Sequence, residues 1–175
     1  MILKGIPKEE NSIKETTYRI FTGGAVNSKK KLYGWGIVVF RSKTDVYSES
    51  GTYPIKEEHA STDLDAIAEF LAVIQALDYV IKDKPRRVVL CNNSGNALIR
   101  IFAEKPASNS MSFHKHKEYI EKWADLERLG IDVFLKNTTE NDMATALAES
   151  AIKKELVMEA KRKLENERNI PTNLL

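Results

Sequence analysis

The chain has 175 residues, with 27 Lys and Arg against 25 Asp and Glu, and a hydrophobic share of 42 %. That is enough apolar material for one core and excludes wholesale disorder, while the near-balance of charge argues against holding nucleic acid by bulk charge and leaves only a local basic patch. The single cysteine, Cys91, excludes an internal disulfide and a Cys-rich zinc site; with no apolar h-region at the start and no run near the ~18 residues of a membrane span, the expectation is a cytoplasmic protein without membrane contact.

Residues 1–17 mix Lys and Glu and read as a polar leader. Tyr18 to Thr22 is a short apolar-rich strand that Gly23-Gly24 is expected to end in a turn or bulge. Asn27 to Lys31 is a polar turn, and Leu32 to Phe40 a second strand in which Gly34 and Gly36 share one face, a sign of close approach by a backbone or ligand. Val46 to Ile55 alternates well enough for a third strand.

The period then changes. Ile67, Phe70, Leu71, Ile74, Leu77 and Ile81 recur at helical spacing. Ser61 or Thr62 is the expected N-cap, Asp63 and Asp65 suit the first turn, and Lys82, Lys84 and Pro85 close the helix. Arg87 to Cys91 is a buried strand, expected parallel to an earlier one because a long helix precedes it. A short helix over about Asn96 to Ala103, a polar loop with Pro106 and a helix over His114 to Leu129 follow. Ile131 to Leu135 is the fifth strand, and a last helix runs from about Asn141 to Arg168. The order β-β-β-α-β-α-α-β-α predicts an α/β fold: a five-stranded mixed sheet, three antiparallel strands then two parallel ones, flanked by helices.

Several strings, in this order, resemble the ribonuclease H-like superfamily, in particular the short bacterial, archaeal and plant type of ribonuclease H. They are Ile20-Phe21-Thr22-Gly23-Gly24 on the first strand, Gly34-Trp35-Gly36-Ile37-Val38 on the second, and Ala68-Glu69 with Ala72, Ala76 and Leu77 on the first long helix. Asn92-Asn93-Ser94 follows the fourth strand, and Glu140-Asn141 with Ala144-Thr145 and Leu147-Ala148 opens the last helix. The resemblance covers residues 18–155. It divides the chain into a leader (1–17), a ribonuclease H-like domain (18–152) and an extended C-terminal helix and tail (153–175).

The resemblance implies two metal ions clamped by four carboxylates, one generating the attacking hydroxide and the other stabilising the leaving oxygen of an RNA strand. The matching positions are Gly23, Glu69, Asn93 and Thr145, of which Glu69 alone is an acid. Mg²⁺ dehydrates reluctantly and needs anionic oxygens, so no metal site is expected. Asp65 shares the i, i+4 face of Glu69, and Glu140 and Asp142 lie near the last helix start, but residues 18–31 contain no Asp or Glu. Where family members read RNA 2′-hydroxyls with Thr-Asn-Asn, this chain has Leu64-Asp65-Ala66. The family's product-release His falls near Asn137, Thr138 and Thr139.

Lys29, Lys30 and Lys31 at the expected hairpin tip are candidate phosphate contacts, or a solvated turn. Phe113, Lys115 and Lys117, an aromatic among bases, are candidates for stacking and phosphate binding, or an ordinary first helical turn. His114 and His116 do not share a helix face, His59 has no evident partner, and Cys91 reads as a small buried hydrophobe. Trp35 and Trp123 read as core. In the last helix, Leu156, Ala160 and Leu164, with Val157 beside them, form a narrow apolar stripe for its own domain or for a partner.

The expectation is a catalytically degenerate ribonuclease H-like protein, without cofactor. It would act as a nucleic-acid-binding module for RNA or an RNA–DNA hybrid, or engage a protein partner through the C-terminal helix. The alternative is an active ribonuclease cutting RNA in RNA–DNA hybrids through an atypical Mg²⁺ or Mn²⁺ site on Glu69, with Asp65, Asn93 or Asp142 helping.

Overall fold

The computed structural model describes residues 17–55, 64–93 and 111–168. The expected leader up to residue 16, the Ser61/Thr62 cap, His59, the short helix after Asn93 and the tail from residue 169 lie outside the described residues, as do the side chains of Met111 to His116; Thr17, expected to end the leader, already belongs to the first strand.

Five strands, β1 (Thr17–Asn27), β2 (Leu32–Phe40), β3 (Val46–Pro54), β4 (Arg87–Asn92) and β5 (Asp132–Asn137), form one sheet in the order β3-β2-β1-β4-β5. β1–β2 and β2–β3 are antiparallel, and β1–β4 and β4–β5 are parallel. Three described helices accompany them: α1 (Leu64–Asp83), α2 (Met111–Arg128) and α3 (Asp142–Arg168). None of them is long and apolar enough to cross a membrane. The mixed α/β sheet expected from the sequence is present.

Strand alternation sorts the core. Ile20, Ile37, Val39, Val88 and Leu90 turn to one face and meet Phe70, Val73, Ile74 and Leu77 of α1 in a single buried cluster. α2 lies outside α1, with Tyr119 against Phe70 (ring centroids 5.7 Å apart) and Lys122 paired with Asp78. α1 is apolar nearly all round through its middle because the sheet covers one side and α2 another. Trp123, expected in the core, is half-buried, packed against the core cluster and stacked on Tyr119, whereas Trp35, also expected there, is half-buried beside Gly51.

α3 takes the opposite face of the sheet. β1 does not stop at Gly23-Gly24: the two glycines pair with Gly36 and Trp35, and the strand runs on to Asn27. They are places of close approach. A Cβ at Gly23 would fall on the Thr145 nitrogen and 2.7 Å from the Ala144 carbonyl carbon, and one at Gly24 would fall on Ala68 and Glu69 of α1. β1 is thus pressed at adjacent residues between the backbones of two helices. On β2 the approach read from Gly34 and Gly36 is by a backbone, the carbonyl oxygens of Ala148 and Ala144. α3 runs unbroken through the expected boundary at 152; its last fully buried residue is Ile152, and Glu155 and Leu156 are half-buried beyond it.

Candidate functional site

The site lies where β1, β4, α1 and α3 meet. Glu69 follows Ala66, Ile67 and Ala68 in a buried stretch of α1, so its carboxyl group is carried into the interior, 8 % exposed. A buried carboxylate needs donors. Two protein groups supply them: the Gly24 backbone N–H and Asn92 Nδ2, which donates to Glu69 Oε2 at 2.9 Å.

The second hydrogen of the Asn92 amide goes to Thr22 Oγ1 at 2.8 Å, and the Thr22 hydroxyl donates to the Cys91 carbonyl at 3.4 Å. Thr22 and Asn92 are buried and stand on neighbouring parallel strands, one position beyond the Phe21–Cys91 pair. The same alternation that turns Ile20 and Leu90 to α1 turns Thr22 and Asn92 to it, beneath Glu69. Glu69, Asn92 and Thr22 thus form one buried polar chain across α1, β4 and β1.

Asn141 ties in the third side. It precedes α3, its carbonyl accepts the Thr145 N–H at 3.1 Å, and its buried side chain donates from Nδ2 to the Thr22 carbonyl at 3.1 Å. The side chain of this helix-start residue therefore holds α3 against β1, which fixes the tight contact at Gly23.

Burial raises the Glu69 carboxyl above the ordinary carboxylate range; the Gly24 N–H and the Asn92 amide oppose that rise, and the Asp65 charge one turn away adds to it. Burial likewise raises the Cys91 thiol, a small side chain 3 % exposed, as expected of a packed rather than reactive cysteine.

Of the four positions marked by the resemblance, Glu69 is inside the network, Gly23 lies against Thr145 on the α3 side of β1, and Asn93 is exposed beyond the end of β4. The groups that engage Glu69 include Asn92, one residue before Asn93, and Gly24, one residue after Gly23. Asp65, Glu140 and Asp142 are exposed. Among the described residues no group of three His, Cys, Asp or Glu side chains is placed to hold a metal ion.

Lys29, Lys30 and Lys31 are exposed at the tip of the β1–β2 hairpin, where the Lys30 N–H is held by Asn27 Oδ1 at 3.0 Å. Lys117 is exposed on α2 and pairs with Glu121 at 3.8 Å; Phe113 and Lys115 fall in the first turns of the same helix, with side chains outside the described set. Sequence reasoning missed Thr22, Asn92 and Asn141 as site residues. The signal for Asn92 was a polar residue closing an otherwise apolar strand, a position that needs a buried partner.

No family model and no curated protein matches this sequence. Solved structures do match its fold. Ribonuclease H1 of the halophilic archaeon Halobacterium salinarum NRC-1 is 16 % identical with a TM-score of 0.59, over 79 % of this chain and 98 % of that one. LC11-RNase H1, solved in complex with an RNA/DNA hybrid, is 18 % identical with a TM-score of 0.60, over 79 % and 99 %. The N-terminal RNase H domain of a Mycobacterium tuberculosis protein is 17 % identical with a TM-score of 0.59, over 83 % and 99 %. The chain therefore has a ribonuclease H-like fold.

Proposed function

We propose that this chain is a catalytically degenerate ribonuclease H-like protein, a pseudoenzyme that keeps the fold as a binding module. One observation carries the reading. The Glu69 carboxylate is taken up by protein donors, Asn92 Nδ2 and the Gly24 N–H, while the α3 backbone occupies the space a side chain at residue 23 would need. A hard divalent cation needs several anionic oxygens converging on one point. Glu69 is the one carboxylate within this network, and its neighbours Asn92 and Thr22 are neutral. The residues present do not fit a two-metal centre.

A second reading, action on RNA–DNA hybrids, is favoured by the hybrid bound to LC11-RNase H1. Under it Lys29 to Lys31, Phe113, Lys115 and Lys117 would contact the duplex, and Asp65, Asn93 or Asp142 would support Glu69. An end-labelled RNA–DNA hybrid incubated in Mg²⁺ and in Mn²⁺, with Glu69→Gln beside the natural chain, separates the two. The expected result is no cleavage by either protein. Cleavage by the natural chain that disappears in Glu69→Gln overturns the degenerate reading.

A further inference from the structure

We propose that the cleft between β3 and α1 is a docking groove for a proline-rich segment of a partner protein that carries an arginine or lysine. This deepens the binding-module reading and rests on it.

One line of residues interrupts the apolar surface of α1. Gln75, Asp78, Tyr79 and Lys82 stand at i, i+3, i+4 and i+7 and share a face. With Tyr47 and Glu49 of the edge strand β3 they line a cleft of about 300 Å³. The cleft belongs to the C-terminal half of α1, whereas Glu69 is carried by its first half, so it is separate from the site described above.

Its aromatic wall is held in place. Tyr47 stacks on Tyr79 with ring centroids 5.1 Å apart. Arg41, between β2 and β3, donates from Nε and Nη2 to the Tyr79 hydroxyl at 2.8 and 2.6 Å and is paired with Asp45 and Asp83. Tyr47, Glu49 and Gly51 alternate onto one face of β3. Gly51 pairs with Trp35, and the indole lies across it: a Cβ at Gly51 would stand 2.7 to 3.0 Å from three indole atoms. Glu49 therefore has an aromatic ring on each side, and Tyr47 and Trp35 are both half-buried. Glu49 is exposed and accepts the Tyr47 hydroxyl at 2.9 Å, but among the described residues it has no cationic partner.

That pattern selects the occupant. Asp78 is paired with Lys122 and Asp83 with Arg41, which leaves Glu49 for a cation from outside. A guanidinium or ammonium there would meet a carboxylate and two ring faces. An open cleft buries little area, so its occupant must lose little freedom on binding. A proline-rich segment meets that condition, because it is already extended and its rings pack on aromatic side chains. The chain's own prolines, Pro7, Pro54, Pro85, Pro106 and Pro171, are scattered, so a second copy has no such segment to offer. Nucleic acid would set its phosphates against Glu49, which like charges oppose.

The test is fluorescence anisotropy with a fluorescein-labelled peptide, Pro-Pro-Leu-Pro-Arg-Pro-Pro, against its counterpart with Glu for Arg. A labelled RNA–DNA hybrid runs in parallel. The Arg peptide is expected to bind at least about tenfold more tightly than the Glu peptide. Glu49→Lys is expected to weaken the Arg peptide by at least about tenfold, and Lys82→Glu not to weaken it. Glu165→Lys makes the same charge change on α3, across the sheet, and is expected to leave binding as it is. All three residues are exposed, so the variants keep the fold, which circular dichroism checks. The proposal is overturned by an Arg peptide that does not bind or binds no better than the Glu peptide, by binding that ignores Glu49→Lys, by an equal loss in Glu165→Lys, or by hybrid binding that Lys82→Glu abolishes in place of peptide binding. Hybrid cleavage is a separate readout, so failure here and failure of the degenerate reading are told apart.

Discussion

Gly36→Ala is expected to lower the melting temperature by about 6–12 °C, the equivalent of about 3 kcal/mol for a chain of this size. The added methyl would fall on the Ala144 carbonyl oxygen and lie 2.9 Å from Leu147 Cβ and 3.0 Å from the Ala148 nitrogen. Two of these three atoms belong to a hydrogen-bonded helix backbone, which cannot swing aside as a flexible side chain would. Relief requires α3 to lift from β2, and Asn141 opposes that by holding the start of α3 to the Thr22 carbonyl. Gly23→Ala meets Thr145 and Ala144 in the same way and is expected to behave alike. Gly130→Ala is the contrast. Nothing stands within 4 Å of its would-be Cβ, and its cost is the positive φ of 67° alone, about 1 kcal/mol. Thermal melting followed by circular dichroism ranks the three; a Gly36→Ala melt within a degree or two of the natural chain would show that α3 does not press on β2.

Asn92→Asp is the second large effect, about 3 kcal/mol of lost stability at neutral pH and correspondingly about 6–12 °C in melting temperature. The substitution removes the donor to Glu69 Oε2 and Thr22 Oγ1 and sets a second carboxylate within about the same 2.9 Å of the first. Two buried carboxylates at that separation cannot both ionise, so the folded variant retains a proton that the unfolded chain releases above its ordinary carboxyl pKa of about 4. In the natural chain the Glu69 carboxyl is already raised, chiefly by burial. A raised native pKa gives stability that is complete below the unfolded pKa and is lost as pH rises through the native one. Asn92→Asp enlarges that loss. The gap between variant and natural chain should therefore widen from pH 5 to pH 8 and narrow in acid. A gap that is constant with pH would mean that residues 69 and 92 do not share a proton.

The fold was legible because it is written in repeated local signals. The apolar runs Tyr18 to Thr22 and Leu32 to Phe40, the alternation along Val46 to Ile55, the helical spacing from Ile67 to Ile81, and the order of the glycine- and alanine-bearing strings each point to the same sheet and helices. Gly34 and Gly36 announced a close approach and the structure supplies it. Gly23-Gly24 was misread because a glycine pair serves a turn and a squeezed strand equally well; only the ladder to β2 and the helices on both sides decide which. Glu69 was legible as a lone acid at a marked position. Its partners were not: whether residue 92 or 93, and 22 or 23, faces α1 depends on strand parity, and a shift of one residue exchanges the two faces.

Under the proposed function the Glu69 carboxylate is committed to protein donors and is not open to a divalent cation. Thermal melting with and without Mn²⁺, for the natural chain and for Glu69→Gln, tests it most directly, because ion binding to the folded state alone must raise stability. At about 10 mM Mn²⁺ a site with a dissociation constant of about 0.1 mM adds about 2.7 kcal/mol, a shift of roughly 5–11 °C. Mn²⁺ is expected to move the natural chain no more than it moves Glu69→Gln. A shift of that size in the natural chain, absent from Glu69→Gln, would contradict it and show that Glu69 anchors a metal site.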